Sequence, residues 1–201
     1  MAVFATLLRR RRLPASRRPP LDRDERVVAW AGATGDEVLV VTNLGVWLPG
    51  ASDLAASEPA PVDPAPADPA LSASPGVAAR VGWHEIHKAT WSGRQLTVVA
   101  AHETADVDGY AVVADLPPVV CTLLDPDRVP EQVRTRVTRS IAYTVHHPLP
   151  GGGGVRVVAR RVPGVNGLRW TVRYDDGVDP SDPAVADTTA LLVGYGRHGV
   201  G

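Results

Sequence analysis

Short runs of β-branched and apolar residues, broken by turn residues, dominate the chain from residue 26 to residue 124. Such runs are typical of strands, and dipeptides such as Ser92-Gly93 are typical of the tight turns between them. The polar stretch 103–108 is predicted to be an acidic loop. The pattern predicts seven strands in meander order, at residues 26–31, 37–42, 46–48, 79–90, 94–101, 110–115 and 119–124.

The hydrophobic period then changes from two to about 3.6. Apolar residues recur at every fourth position from Val129 to Ile141, which predicts an amphipathic helix over residues 130–143 with Pro130 in its first turn. The exposed faces of this helix carry Arg134, Arg136 and Arg139. Prolines and the glycines 151–154 follow, and they predict a flexible linker.

Residues 148–201, which include this linker, are predicted to form a separate ββα extension. Its strands are residues 155–162 and 168–174, and the second strand alternates cleanly between apolar and polar positions. Asp182 is placed to cap a last helix that begins at Pro183. Gly194 and Gly196 are expected to end that helix.

Seven strands followed by one helix favour a mainly β, α+β fold. They would curl into an orthogonal sandwich or a partly open barrel whose end the helix closes. Residues 40–48, residues 81–86 and the helix from Pro130 resemble bacterial pleckstrin-homology-like (PH-like) domains, in which a seven-stranded barrel is capped by a helix. The chain is also similar to a group of actinobacterial proteins of about this length. The resemblance covers about residues 26–143 and implies a binding module without a catalytic motif.

Two segments lack the apolar residues that a folded core needs. Residues 1–21 combine Arg9–Arg12, Arg17 and Arg18 with three prolines, and are predicted to be a disordered basic tail. Residues 49–76 hold seven prolines, no basic residue and no aromatic residue. They are predicted to be a disordered insert within the barrel domain of residues 22–147.

Composition narrows the classes of function. The 21 basic and 22 acidic residues nearly cancel, which excludes a generally polybasic protein. All basic residues except Lys88 are arginine, as a GC-rich genome would encode, so the arginine excess by itself indicates no function. The single cysteine, Cys121, excludes an intramolecular disulfide and any multi-cysteine metal site. No apolar run approaches the roughly 18–20 residues that span a bilayer, and we expect a cytoplasmic protein.

The histidines invite a metal-site interpretation that their spacing does not favour. His84 and His87 lie three residues apart in a segment predicted to be extended, so they face opposite sides of a strand. His146 and His147 are adjacent in the sequence, and neighbouring residues rarely chelate one ion together. We therefore expect no metal ion at either pair.

Other candidate sites have plainer interpretations as well. Cys121 lies in an apolar strand, where a thiol packs in the core instead of reacting. Glycines 151–154 lack the Lys-Ser/Thr pair of a phosphate loop, and we expect no bound cofactor. Many eukaryotic PH domains bind phosphoinositides through basic residues in the first strand loop. The corresponding residues 31–37 hold two acids and no base, so no headgroup site is expected there.

Four arginines of the predicted C-terminal hairpin form a candidate interaction face: Arg156, Arg160, Arg169 and Arg173. If the two strands pair around Asn166-Gly167, these side chains share one face and need an acidic neighbour. The candidates are Asp175, Asp176, the acidic insert, an external phosphate or an acidic protein surface. The alternative is a solvated face in an arginine-biased sequence.

Three hypotheses about function follow. The first is a non-enzymatic interaction module that binds a protein partner. The second is a binder of nucleic acid or anionic membrane that uses the basic tail and the hairpin arginines, with strong salt dependence. The third is an enzyme, for which His84, Glu85 and Cys121 are the only candidate residues.

Overall fold

The computed structural model describes residues 12–50 and 79–200, and most of the predicted insert and the first 11 residues of the tail lie outside it. The strands are β1 (Val27–Gly32), β2 (Val38–Thr42), β3 (Gly45–Leu48), β4 (Ala79–Gly82), β5 (Ile86–Ser92), β6 (Gln95–Val107), β7 (Tyr110–Asp115), β8 (Val119–Thr122), β9 (Ile141–Pro148), β10 (Gly154–Arg161) and β11 (Leu168–Tyr174). The helices are α1 (Val129–Ser140) and α2 (Pro183–Val200). The predicted mainly β, α+β class is confirmed.

Two sheets contain these strands. β1 to β4 form an antiparallel meander, and the second sheet has the order β5-β6-β7-β11-β10-β9, with β8 also paired to β6. β6 is 13 residues long, and its first half pairs with β5 and β8 while its second half pairs with β7. Because one strand serves both parts, the second sheet curls into a half-barrel.

A first core fills the space between the β1–β4 sheet, the first half of β6 and α1. Its buried members include Leu39, Ile86, Leu96 and Leu123, none of which is more than 2% exposed. Val133 of α1 enters this core, as the four-residue apolar period predicts. Each such side chain contributes about 1.5–3 kcal/mol of hydrophobic stabilisation.

A second core lies between α2 and one face of β7, β9, β10 and β11. Val157, Trp170 and Val172 supply the sheet side, and Val185 and Val193 supply the helix side. At the start of α2, the Asp182 carboxylate accepts a hydrogen bond from the Ala184 N–H at 2.8 Å, so the predicted cap is present.

The expected end of α2 at Gly194 and Gly196 is wrong, because the helix continues to Val200. Gly196 is buried where the helix crosses the sheet. A methyl group at this position would come within 2.8 Å of Cζ3 of Trp170. This glycine therefore permits the close approach of helix and sheet, instead of terminating the helix.

The segment that follows α1 also differs from its prediction. The helix ends at Ser140, and Ile141–Pro148 forms strand β9 where the end of the helix and a linker were expected. Gly151, Gly152 and Gly153 all have positive φ and form the turn into β10, a conformation that glycine adopts without strain. β9 pairs with β10, and β11 pairs in parallel with β7. The C-terminal strands thus continue the second sheet.

The predicted acidic loop at residues 103–108 is wrong as well, because β6 continues to Val107. Glu103 pairs in register with Val113 of β7. The segment is polar although it is a strand, because one face of this part of the sheet also carries arginines of β10 and β11.

Candidate anion-binding site

The hairpin of β10 and β11 places its four arginines on one face. Arg156 lies directly opposite Arg173, and Arg160 lies directly opposite Arg169. Antiparallel partners in register point to the same side of a sheet. The two strands therefore pair in the register that puts all four arginines on one side of the sheet. We call this side the polar face.

The acidic neighbours of the polar face come from β6 and β7. Arg169 forms an ion pair with Glu103, and Nη1 of Arg173 lies 2.7 Å from Oδ2 of Asp115. Of the acidic candidates suggested by the sequence, Asp175 does not supply this charge, because its carboxylate lies 2.9 Å from Nε2 of His146. Both arginine pairs are partly exposed, so each contributes at most about 1 kcal/mol to stability. Their main effect is to neutralise Arg169 and Arg173.

The other two arginines of this face have different environments. Arg156 is exposed and forms no ion pair with a described residue. Arg160 is only 4% exposed, and its Nη1 donates a 2.8 Å hydrogen bond to Oγ of Ser140. Its Nε is buried without a hydrogen-bond partner, and burial lowers the pKa of this guanidinium. Within the described chain, Arg160 is a buried cation with no carboxylate beside it.

Ser140 connects Arg160 to a pocket of about 220 Å³ at the C-terminal end of α1. The pocket is lined by Asn43, Trp83, Arg136, Arg139, Ser140, Arg161, Val162 and Pro163. Three of these residues are arginines and none is acidic. We call it the arginine pocket.

Two of its arginines are held in place by the surrounding structure. Arg161 donates hydrogen bonds from Nη1 to the carbonyl oxygens of Arg139 and Ile141, each at 3.2 Å, and so caps the end of α1. The Arg136 guanidinium lies 5.9 Å above the ring of Trp83. Its Nε is buried without a partner, and burial together with the charge of Arg139 lowers its pKa. These donors are therefore positioned before any ligand arrives.

The helix end reduces the positive charge of the pocket only in part. The last turn of an α-helix carries roughly half a negative charge on its unpaired carbonyls. Three guanidiniums line the pocket, and no ion pair joins any of them to an acid among the residues described. The arrangement has the chemistry of a site for an oxyanion, since guanidinium groups bind carboxylates and phosphates in a bidentate manner.

The two central histidines lie beside the polar face. His84 belongs to a turn, not to the extended segment that was expected, and strand β5 begins only at Ile86. Nδ1 of His87 lies 2.9 Å from Oδ1 of Asp115. Burial is the main cause that lowers the pKa of both histidines. In residues 12–50 and 79–200, no group of three or more His, Cys, Asp and Glu side chains is arranged to hold a metal ion.

The candidate residues for an enzyme are not brought together. Cys121 packs in the first core, as the apolar strand predicts, and burial raises its pKa to about 11. His84 and Glu85 line a neighbouring pocket of about 180 Å³, which shares Val162 and Pro163 with the arginine pocket and does not include Cys121 in its lining.

The loop between β1 and β2 carries no basic residue of its own, and Asp36 there pairs with Arg17 at 2.5 Å.

Trp83 is only 3% exposed and Trp91 is 36% exposed, so only the second presents part of its ring to solvent. Neither helix of the described chain combines the length and the hydropathy needed to cross a bilayer.

The sequence pattern placed Arg136 and Arg139 on the exposed faces of the helix, but Arg136 is half-buried against Trp83. The pattern also did not connect either residue with Arg161. The connection depends on β9, which follows α1 without a break and brings β10 beside the helix end. The only feature of the sequence that pointed to this pocket was the pair Arg160-Arg161 directly before a turn.

Comparison with protein-family models, with curated proteins and with solved structures finds no match for this chain.

Proposed function

We propose that this chain is a non-enzymatic interaction module that binds a protein partner, and that the arginine pocket receives an anionic group of that partner. One observation carries the proposal: Arg136, Arg139 and Arg161 line a pocket to which no described residue contributes a carboxylate. On the nearby polar face, by contrast, Arg169 and Arg173 each have an acid beside them.

The size of the pocket favours one functional group of a larger molecule. Its volume of about 220 Å³ lies below the roughly 300–1,000 Å³ of sites for whole small molecules. A carboxylate or phosphate fits, and the rest of its carrier then contacts the rim at Val162 and Pro163. The resemblance of residues 26–143 to PH-like domains also supports a binding role.

The binding of nucleic acid or anionic membrane through the hairpin is the weaker alternative. It would use all four hairpin arginines, yet two of them are already paired within the chain. A polyanion gains little from cations that already have counter-ions, because its binding depends on new phosphate contacts.

The proposal is tested by titrating the full chain with a hexaglutamate peptide and with its hexaglutamine counterpart, using calorimetry at fixed salt. We expect the acidic peptide to bind and the neutral one not to bind. Arg139→Gln should weaken binding about tenfold, because one charge-assisted contact is lost. Arg134→Gln removes the same charge from the same helix outside the pocket lining and serves as the matched control.

The proposal fails if Arg139→Gln and Arg134→Gln weaken the acidic peptide equally, since the arginine pocket would then have no special role. A duplex DNA that binds more tightly than either peptide, and whose affinity falls steeply with salt, would favour the anionic-surface alternative.

A further inference from the structure

We infer that the group received by the arginine pocket is a phosphate monoester on a serine or threonine side chain of the partner. This inference rests on the proposed function and specifies its ligand. It follows from the charge, the donor arrangement and the dimensions of the pocket.

The charge of the pocket matches a dianion better than a monoanion. Three guanidiniums, offset by roughly half a charge at the helix end, leave about two and a half positive charges. Arg160 adds a further buried cation through its hydrogen bond to Ser140. A carboxylate neutralises only one of these charges. A phosphate monoester carries about −1.5 to −2 at pH 7 and neutralises most of them.

The donors of the pocket also match the acceptors of a phosphate. Arg161 uses Nη1 for the helix carbonyls, which leaves its other guanidinium N–H groups for a ligand. Arg136 also lines the pocket, and its guanidinium, held 5.9 Å above the Trp83 ring, adds terminal N–H donors. A phosphate monoester presents three terminal oxygens to three guanidiniums, whereas a carboxylate presents two.

The lining argues against a nucleotide as the source of the phosphate. The pocket of about 220 Å³ holds the phosphate alone, so a base and a ribose would have to bind on the rim. Trp83, the aromatic side chain in the lining, is buried and faces the Arg136 guanidinium, so it offers no free ring for base stacking.

The rim favours a peptide as the carrier of the phosphate. Val162 and Pro163 line the edge, and Val165 in the following turn is 61% exposed. These apolar side chains suit contact with the residues that flank a phosphorylated side chain. A lipid headgroup would instead be expected to engage a broader basic surface, and two of the four arginines on the neighbouring polar face are already paired with acids.

The test compares four probes by calorimetry on the full chain at one salt concentration. They are inorganic phosphate, a glycine-flanked phosphoserine peptide, the same peptide with glutamate in place of phosphoserine, and the same peptide with unmodified serine. We expect the phosphoserine peptide to bind about tenfold more tightly than the glutamate peptide, and the serine peptide not to bind. Inorganic phosphate should compete with the phosphoserine peptide.

Substitutions then locate the site. Arg139→Gln and Arg136→Gln should each weaken the phosphoserine peptide about tenfold, and Arg134→Gln should leave it unchanged. Arg136 contacts Trp83, so thermal unfolding is recorded for every variant. Arg139 is exposed, and its contact with Arg161 is made by its backbone carbonyl, which the substitution keeps. The Arg139→Gln variant therefore tests the inference even if Arg136→Gln does not fold.

The outcomes separate this inference from the proposed function. A glutamate peptide that binds as tightly as the phosphoserine peptide, with the same loss in Arg139→Gln, overturns the phosphate and leaves the proposed function intact. Phosphoserine binding that Arg139→Gln does not weaken overturns both. Vesicles containing phosphatidic acid that bind more tightly than the phosphoserine peptide would assign the phosphate to a lipid and overturn the protein source.

Discussion

The polar face and the arginine pocket are both built from arginines, but they differ in whether those arginines have acids beside them. On the polar face, Arg169 and Arg173 meet Glu103 and Asp115. In the arginine pocket, Arg136 and Arg161 meet helix carbonyls, an aromatic ring and solvent. The number of arginines is therefore a poor guide to binding. What decides whether a cation remains available is the position of the nearest acid, and strands far away in the sequence set that position.

We expect the largest effect on stability at Arg160, which is buried with no carboxylate of a described residue beside it. Ser140→Ala removes the oxygen that lies 2.8 Å from Nη1 of Arg160 and leaves only the Trp83 carbonyl at 3.5 Å. We expect the free energy of unfolding to fall by about 1–3 kcal/mol, because a buried charged donor loses its partner. Urea denaturation measures the change. The exposed Thr138→Ala on the same helix is the control, and an equal effect of both variants would contradict the role given to Ser140.

A carboxylate placed in the arginine pocket should convert it into a copy of the polar face. Pro163→Glu introduces an acid at the lining, where it can pair with a pocket arginine. We expect the hexaglutamate and phosphoserine peptides to bind about tenfold more weakly, because the ligand then competes with an internal counter-ion. Pro163→Gln keeps the side-chain size without the charge. If the two variants bind alike, counter-charge is not what separates the two regions.

The reverse change should make the polar face resemble the pocket. Glu103→Gln leaves Arg169 without its ion pair. We expect stability to change by less than about 1 kcal/mol, because the pair is partly exposed. We also expect a second, weaker binding step for the hexaglutamate peptide, visible as a stoichiometry above one in calorimetry. A stoichiometry that stays at one would show that removing the acid does not create a site.

The smallest effect concerns pH, and between pH 5 and pH 8 we expect it to come from two histidines beside the polar face. Burial lowers the pKa of His84 and His87 below the usual value of 6.5 in the folded state. Between the lowered pKa and 6.5 the unfolded chain binds more protons than the folded chain, so stability rises with pH through this window. Above it the histidines contribute no further change, and below it their full penalty is present.

This pH dependence is measured as the melting temperature between pH 5 and pH 8. His84→Gln and His87→Gln should each flatten the acidic side of the curve, while Tyr174→Phe near α2 should leave its shape unchanged. A curve that keeps its slope in the double histidine variant would assign the slope to other groups. Glu25 does not contribute in this range. Burial raises its pKa, but hydrogen bonds from Thr42 and Trp47 lower it further, so its contribution is lost only as the pH falls below 4.5.

The helices and strands that could be predicted are those whose hydrophobic pattern lies within one continuous segment of the chain. The four-residue period of the valines located α1 to within a few residues, and the alternation in 168–174 located β11. The apolar run around Cys121 gave its burial. The order of strands could not be obtained in this way, because the parallel pairing of β11 with β7 joins residues about 60 positions apart. Periodicity carries no information on such pairs.

The site was harder to predict than the fold. Its arginines are visible in the sequence, but their counter-ions are not: Arg169 and Glu103 are 66 residues apart, and Arg173 and Asp115 are 58 apart. The acidic stretch that contains Glu103 was expected to be a loop, so its charge could not be assigned to the hairpin. The arginine pocket depends in turn on β9, whose mixed sequence of aromatic, histidine and apolar residues has no clear period.

Because β11 lies between β7 and β10, the sheet cannot be completed until the last strand has been synthesised. While the ribosome is still adding residues 141–168, β7 has its hydrogen-bonding partner on one side only, and its other edge is open to any extended segment. This exposed edge closes only when the last strand emerges and inserts beside it, and α2 then covers the apolar face. We therefore expect the open edge of β7 to be a place where incomplete chains associate until β11 has been made.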